Sequence, residues 1–167
     1  LLVVFAFVTT YNGLVTVAEN ATRAWNDLDT LLRQRHEEIP KLIEMCEPHM
    51  AQERATFDRL LGAGGALFAA RTARDADALV RAERTMRALI DDLLARAVLH
   101  PELANNPAFA LVRQRHATLE AEIADRRRRY NDAIRDYHAA CGGWLGRLVA
   151  FVGQFPPLRQ LEADPAG

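Results

Sequence analysis

With 167 residues and a net charge of −1, the chain is the size of one domain and carries no basic excess. The balance of 21 basic against 22 acidic residues excludes a nucleic-acid binder built on phosphate attraction. Half the residues are hydrophobic, which is enough for a core that needs no staples. Cys46 and Cys141 form no Cys-x-x-Cys and are expected to be two buried free thiols.

Leu1 to Val8 is an unbroken apolar octet. A bilayer span needs ~20 such residues, so the octet cannot cross alone. No small-residue cleavage site follows it, and nothing downstream offers a sheet for a buried strand. Residues 1–10 are therefore expected to be the C-terminal end of a truncated transmembrane helix.

From Tyr11 the spacing becomes heptad: Tyr11, Leu14, Ala18, Ala21, Trp25, Leu28, Leu32, Arg35 and Ile39 recur in steps of three and four. The stripe runs smoothly through Pro40, so a kink is expected there and the first turn near Pro48. A second stripe is Phe57, Leu60, Gly64 and Leu67; Gly62, Gly64 and Gly65 mark close packing or a weak point. A third is Leu79, Ala82, Met86, Leu89 and Leu93. Breaks fall at Thr72 to Asp75 and at His100 to Pro107, the latter rich in turn residues. The last stripe runs Phe109, Val112, His116, Leu119, Ile123, Arg126, Tyr130, Ala133, Tyr137 and Ala140.

The predicted fold is all-α: an antiparallel up-and-down four-helix bundle over residues 11–141. A short apolar helix follows at 142–155 and a disordered tail at 156–167. With ends matched, Tyr130 lies level with Trp25, and Arg126 or Arg127 near Asp27 or Asp29. At least one arginine–carboxylate pair is expected there. Arg126 to Arg129 spread around the helix, so at least one points inward and the rest form a solvated face.

Enzyme and metal motifs are missing. None of the five histidines has a Glu three residues before it, as a di-iron carboxylate bundle needs. There is no Cys-x-x-Cys-His, His-Glu-x-x-His, Gly-x-Ser-x-Gly or phosphate loop. No catalytic residue, cofactor or metal ligand is assigned. Arg35, His116 and Arg126 on the seams are expected to snorkel or to form structural ion pairs. The alternative is a polar ligand or metal site inside the bundle.

Trp144 to Phe155 carries one charge, Arg147, and ends at Pro156-Pro157. It is too short to span a bilayer. Two readings stay open: an interfacial helix contacting lipid through Trp144, Arg147, Phe151 and Phe155, or a cap on the open end of the bundle.

Several blocks occur in a recognisable order: Tyr11-Asn12-Gly13-Leu14-Val15; Ala24-Trp25-Asn26-Asp27-Leu28-Asp29; Arg35-His36-Glu37-Glu38-Ile39-Pro40; His100-Pro101-Glu102-Leu103; Leu119-Glu120; and Arg127-Arg128 leading to Tyr130-Asn131-Asp132-Ala133. From Tyr11 to Tyr137 the chain resembles the LemA family of bacterial membrane-tethered helical proteins. The positions carried over are Tyr11, Asn12, Trp25, Asp29, Arg35, Pro40, Glu120, Arg127, Tyr130 and Asn131. His100 and His138 stand where the family pattern has Tyr and Asn, and Cys141-Gly142-Gly143-Trp144 replaces its Phe-Pro. The resemblance implies a single-pass bacterial membrane protein with a cytoplasmic bundle and no established chemistry. Its function is expected to be that of an interaction or scaffold domain in envelope maintenance, with the membrane and another membrane or envelope protein as partners.

Overall fold

The computed structural model describes residues 1–161. It is all-α, with no strand among the described residues. The helices are α1 (Leu2–Cys46), α2 (Arg54–Ala73), α3 (Ala76–Ala97), α4 (Pro101–Ala104), α5 (Pro107–Gly142) and α6 (Trp144–Val152), with a 3-10 turn at Ala51–Glu53 ahead of α2. The chain divides into two units, and α1 and α5 contribute to both. One unit comprises Leu1–Leu28 with Asp125–Leu161; the other is built on Asp29–Ala124.

Local chemistry sets the helix ends. α1 runs on through Pro40, and the chain turns only at residues 47–50, as the unbroken heptad implies. Arg74 closes α2 in the left-handed conformation, with its N–H bonded to the last turn. Asp75 caps α3 by accepting from the Ala78 N–H at 2.9 Å. Asn106 does the same for α5, accepting from Ala108 at 2.9 Å, with Pro107 suited to the first helical position.

In the Asp29–Ala124 unit, segments of α1 and α5 pack with α2 and α3 around one core. Its stripes are those of the sequence: Phe57, Leu60, Gly64 and Leu67 from α2, and Leu79, Ala82, Met86, Leu89 and Leu93 from α3, are all buried. Leu32, Ile39 and Leu42 of α1 and Phe109, Leu119 and Ile123 of α5 meet them there. Each large side chain buried this way stabilises the unit by ~1.5–3 kcal/mol. The pairings fix the directions. Asp29 meets Arg71 while His36 meets Gly64, so α1 and α2 are antiparallel. Arg35 meets Glu120 while Glu38 meets Arg115, so α1 and α5 are too.

The three glycines of α2 separate into two kinds. A Cβ on Gly64 would stand 2.8 Å from the His36 ring, so any larger residue there would have to push that ring out of its place. Gly62 and Gly65 face open space. Gly62→Ala and Gly65→Ala should each raise stability by ~0.5–1 kcal/mol, because they restrict the unfolded chain and add helix propensity. Gly64→Ala should lower it. Urea unfolding of the three variants checks the contrast; three equal gains would refute the packing role of Gly64.

Candidate functional site

The most unusual feature of the Asp29–Ala124 unit is Arg35. Its heptad position carries it into the core, where it is 1% exposed. An arginine there is tolerable only if its charge is matched. Two carboxylates from two other helices do this: Glu83 of α3 bonds Nη2, and Glu120 of α5 accepts from Nη1 at 2.8 Å. Arg87 approaches the second Glu120 oxygen at 3.4 Å, so two arginines and two glutamates nearly cancel. Burial pushes the Glu83 carboxyl above its ordinary pKa, and Arg35 offsets this only in part. The two carboxylates hold the Arg35 guanidinium above its own ordinary value despite burial.

His116 sits one turn before Glu120. Burial lowers its pKa, Glu120 opposes that, and Arg35 adds to it. Its Nε2 has no hydrogen-bond partner among the described residues, and neither has Arg35 Nε. Both residues line a cavity of about 20 Å³ together with Ile90 and Leu119. That is room for a single water, far short of the several hundred Å³ a small-molecule site occupies. What the cluster does is join three helices at one depth.

A second polar link lies at Asp29. Arg71 of α2 forks onto it through Nε at 2.5 Å and Nη2 at 3.1 Å, and Arg33 approaches from its own helix at 3.2 Å. The Arg71 hydrogen bond leads in holding the Asp29 carboxyl below its ordinary pKa. Arg71 was not singled out in the sequence, although it falls four residues after the buried Leu67.

The other carried-over positions gather in the Leu1–Leu28 and Asp125–Leu161 unit. Trp25 and Tyr130 meet edge to face with ring centroids 5.6 Å apart, which is the predicted register. Arg126 and Arg127 are half-buried, while Arg128 and Arg129 are exposed and reach Asp125. Tyr11 and Asn12 lie on the exposed side of α1, Tyr11 against the ring of Phe155 at 5.8 Å. Pro40, in the other unit, is exposed.

Tyr130 and Asn131 also do something the sequence did not suggest. Residues 156–161 turn back along α5, and side chains of α5 hold their backbone. Tyr137 donates to the Pro156 carbonyl at 2.7 Å, and His138 Nε2 bonds the Leu158 carbonyl at 2.7 Å. Tyr130 donates to the Arg159 carbonyl at 3.0 Å. Asn131 makes a pair of hydrogen bonds with Leu161, accepting from its N–H at 2.8 Å and donating to its carbonyl. The expected disordered tail therefore does not describe residues 156–161; the remainder of that expectation, 162–167, lies outside the described residues. The physical reason is that a segment outside any helix or sheet satisfies its backbone on amide, hydroxyl and imidazole side chains instead. His138, a departure from the family pattern, still serves this purpose.

Both cysteines are free, but only Cys46 is buried as expected; Cys141 is half-buried near the end of α5. Burial pushes the Cys46 thiol up to about 11, so it is a packing residue rather than a nucleophile. Among the described residues no group of three or more His, Cys, Asp or Glu stands where it could hold a metal ion. α1 is long and apolar enough to cross a membrane, by length and composition.

These features define a class: an all-α protein whose first helix begins apolar and exposed and whose long helices are locked by buried charge. Within that class the chain belongs to the LemA family, whose model matches residues 24–167. The match starts after Tyr11-Asn12 and continues past Tyr137, so it includes the returning segment that the quoted blocks left out. No curated protein matches the chain.

Two predictions follow from the charges. Arg35→Met leaves Glu83 and Glu120 facing each other with Arg87 as the one cation still beside them, and should destabilise the unit by ~3–5 kcal/mol in urea unfolding. Adding Glu83→Gln to that variant should recover part of the loss; no recovery would mean that Arg35 matters by shape alone. Asp29 has a depressed folded pKa, so its contribution is full above the ordinary aspartate value and drains as pH falls through the depressed one. The stability gap between the chain and Asp29→Asn should therefore shrink below that ordinary value. A gap independent of pH would show that Asp29 acts without its charge.

Proposed function

We propose that this chain is a membrane-anchored helical interaction domain without catalytic chemistry, acting in bacterial envelope maintenance. The observation that carries the reading is the start of α1. Leu2, Val3, Val4 and Phe5 are 66–84% exposed, and the helix then continues without a break into the heptad that packs inside the protein. Large apolar side chains left exposed along a helix suit lipid. Membership in a family of membrane-tethered proteins supports the same reading, with a single pass and the helical domain on the cytoplasmic side. Support for a scaffold rather than an enzyme comes from the core, where the buried charges are engaged with one another across helices.

The test is retention of the full chain in bacterial membranes washed with alkaline carbonate, compared with the double variant Val4→Arg, Phe5→Arg. The chain should stay with the membrane and the variant should be released, both with unchanged helix content. Release of both would overturn the anchor. Protease added to sealed inverted vesicles should digest the helical domain; protection would place it on the opposite side. The alternative, a ligand or metal site at Arg35 and His116, would gain support from a stoichiometric transition metal retained by purified protein after chelation.

A further inference from the structure

α6 has an exposed apolar face that the fold leaves uncovered. Trp144 is 76% exposed, Leu148 48%, Phe151 85% and Val152 60%. Their spacing places them along one side of the helix. The opposite side is buried: Val149 is 0% exposed, and Gly146 sits so tightly on the end of α5 that an added Cβ would lie 2.3 Å from the Ala140 carbonyl oxygen. Of the double glycine expected to act as a flexible joint, Gly142 belongs to α5 and only Gly143 lies between the helices, with an ordinary negative φ. Gly146, not that joint, sets where α6 lies.

That position can be read from its neighbours, all within the same unit. α6 begins beside Ala140 of α5 and is followed by Phe155, which meets Tyr11 of α1 edge to face, and Pro156, which accepts from Tyr137. The helix therefore lies beside the part of α1 where the exposed apolar turns, Leu2 to Val8, give way to the heptad. Its nine residues measure only about 14 Å, so it cannot cross a bilayer core of about 30 Å. The segment from Trp144 to Phe155 holds no acidic residue, and its one cation, Arg147, is exposed on the same helix.

We propose that α6 is an interfacial helix: its Trp144, Leu148, Phe151 and Val152 face enters the headgroup boundary of the bilayer that receives α1, with Arg147 directed to lipid phosphate. The inference rests on the anchoring of α1. Tryptophan and phenylalanine suit that boundary, and an arginine stem covers apolar surface while its guanidinium reaches phosphate. Lipid is favoured over a second copy of the chain because the face adjoins helical turns that themselves suit a bilayer, and because an isolated cation without an acidic counterpart offers nothing for self-pairing. The capping role weighed in the sequence accounts for Gly146 and Val149 but not for the outward face.

The experiment uses the full chain reconstituted into vesicles of phosphatidylcholine and phosphatidylglycerol, alongside Trp144→Phe, so that the difference in emission reports Trp144. Lipids brominated near the headgroup should reduce the Trp144 emission about twofold, and lipids brominated near the chain ends much less, as an interfacial depth requires. Iodide in the buffer should quench it little. Phe151→Asp should weaken the quenching by bromine while the chain still floats with the vesicles. If the chain floats but Trp144 responds to iodide and not to bromine, the interfacial role is wrong and the anchor stands. Shielding from both quenchers would assign the face to protein and also overturn the proposal. If the chain does not float, the anchor fails and the interfacial helix fails with it.

Discussion

The Asp29–Ala124 unit depends on one buried cation. Arg35 brings a full positive charge into an apolar core, and the cost of desolvating it is met only where α3 and α5 each deliver a carboxylate at the same depth. Hydrophobic stripes alone allow neighbouring helices to slide by a turn with little change in buried area. A charge held by two partners does not, because a shift of one turn would part Arg35 from both carboxylates and leave a buried cation unmatched. The close seat of Gly64 against His36 acts on α1 and α2 in the same sense, through shape instead of charge.

Much of this was legible in the residues because it follows from period. The four stripes, the turn at residues 47–50, the break before α5 and the Trp25–Tyr130 pairing all come from apolar spacing plus turn chemistry. Arg35 was visible as an anomaly on a seam, and Glu120 as a family position. Glu83 was not, because it sits one residue beyond the stripe marked by Ala82. Leu79, Glu83, Met86 and Ile90 form an equally good stripe, and both are buried. The helix presents a broad face to three neighbours, whereas a single heptad seam describes contact with one. A buried arginine requires acidic partners, and searching for acids next to seam positions would have found Glu83.

The returning segment was missed for a different reason. Prolines and a few polar residues after a short helix read as loose chain, because local sequence shows no partner for their backbone. The partners lie on α5, in Tyr130, Asn131, Tyr137 and His138. In the sequence these looked like seam aromatics and surface polar groups. One of them faces both ways: Tyr130 supports Trp25 with its ring and the Arg159 carbonyl with its hydroxyl. A motif position that pairs two tasks in one side chain is hard to replace with any other residue type.

Arg35 and Glu120 are 85 residues apart in the chain, whereas Arg35 and Glu83 are 48 apart. During synthesis α1, α2 and α3 therefore leave the ribosome well before the second carboxylate exists. Until α5 arrives, Arg35 has only half of its counter-charge and every reason to remain in water, so the early helices gain little by closing over it. The apolar stripes of α2 and α3 can pair at once, since a short turn joins them, but the final core waits for the last long helix. Placing the costly charge on the first helix and one of its partners on the last makes closure of the domain coincide with completion of the chain that forms it.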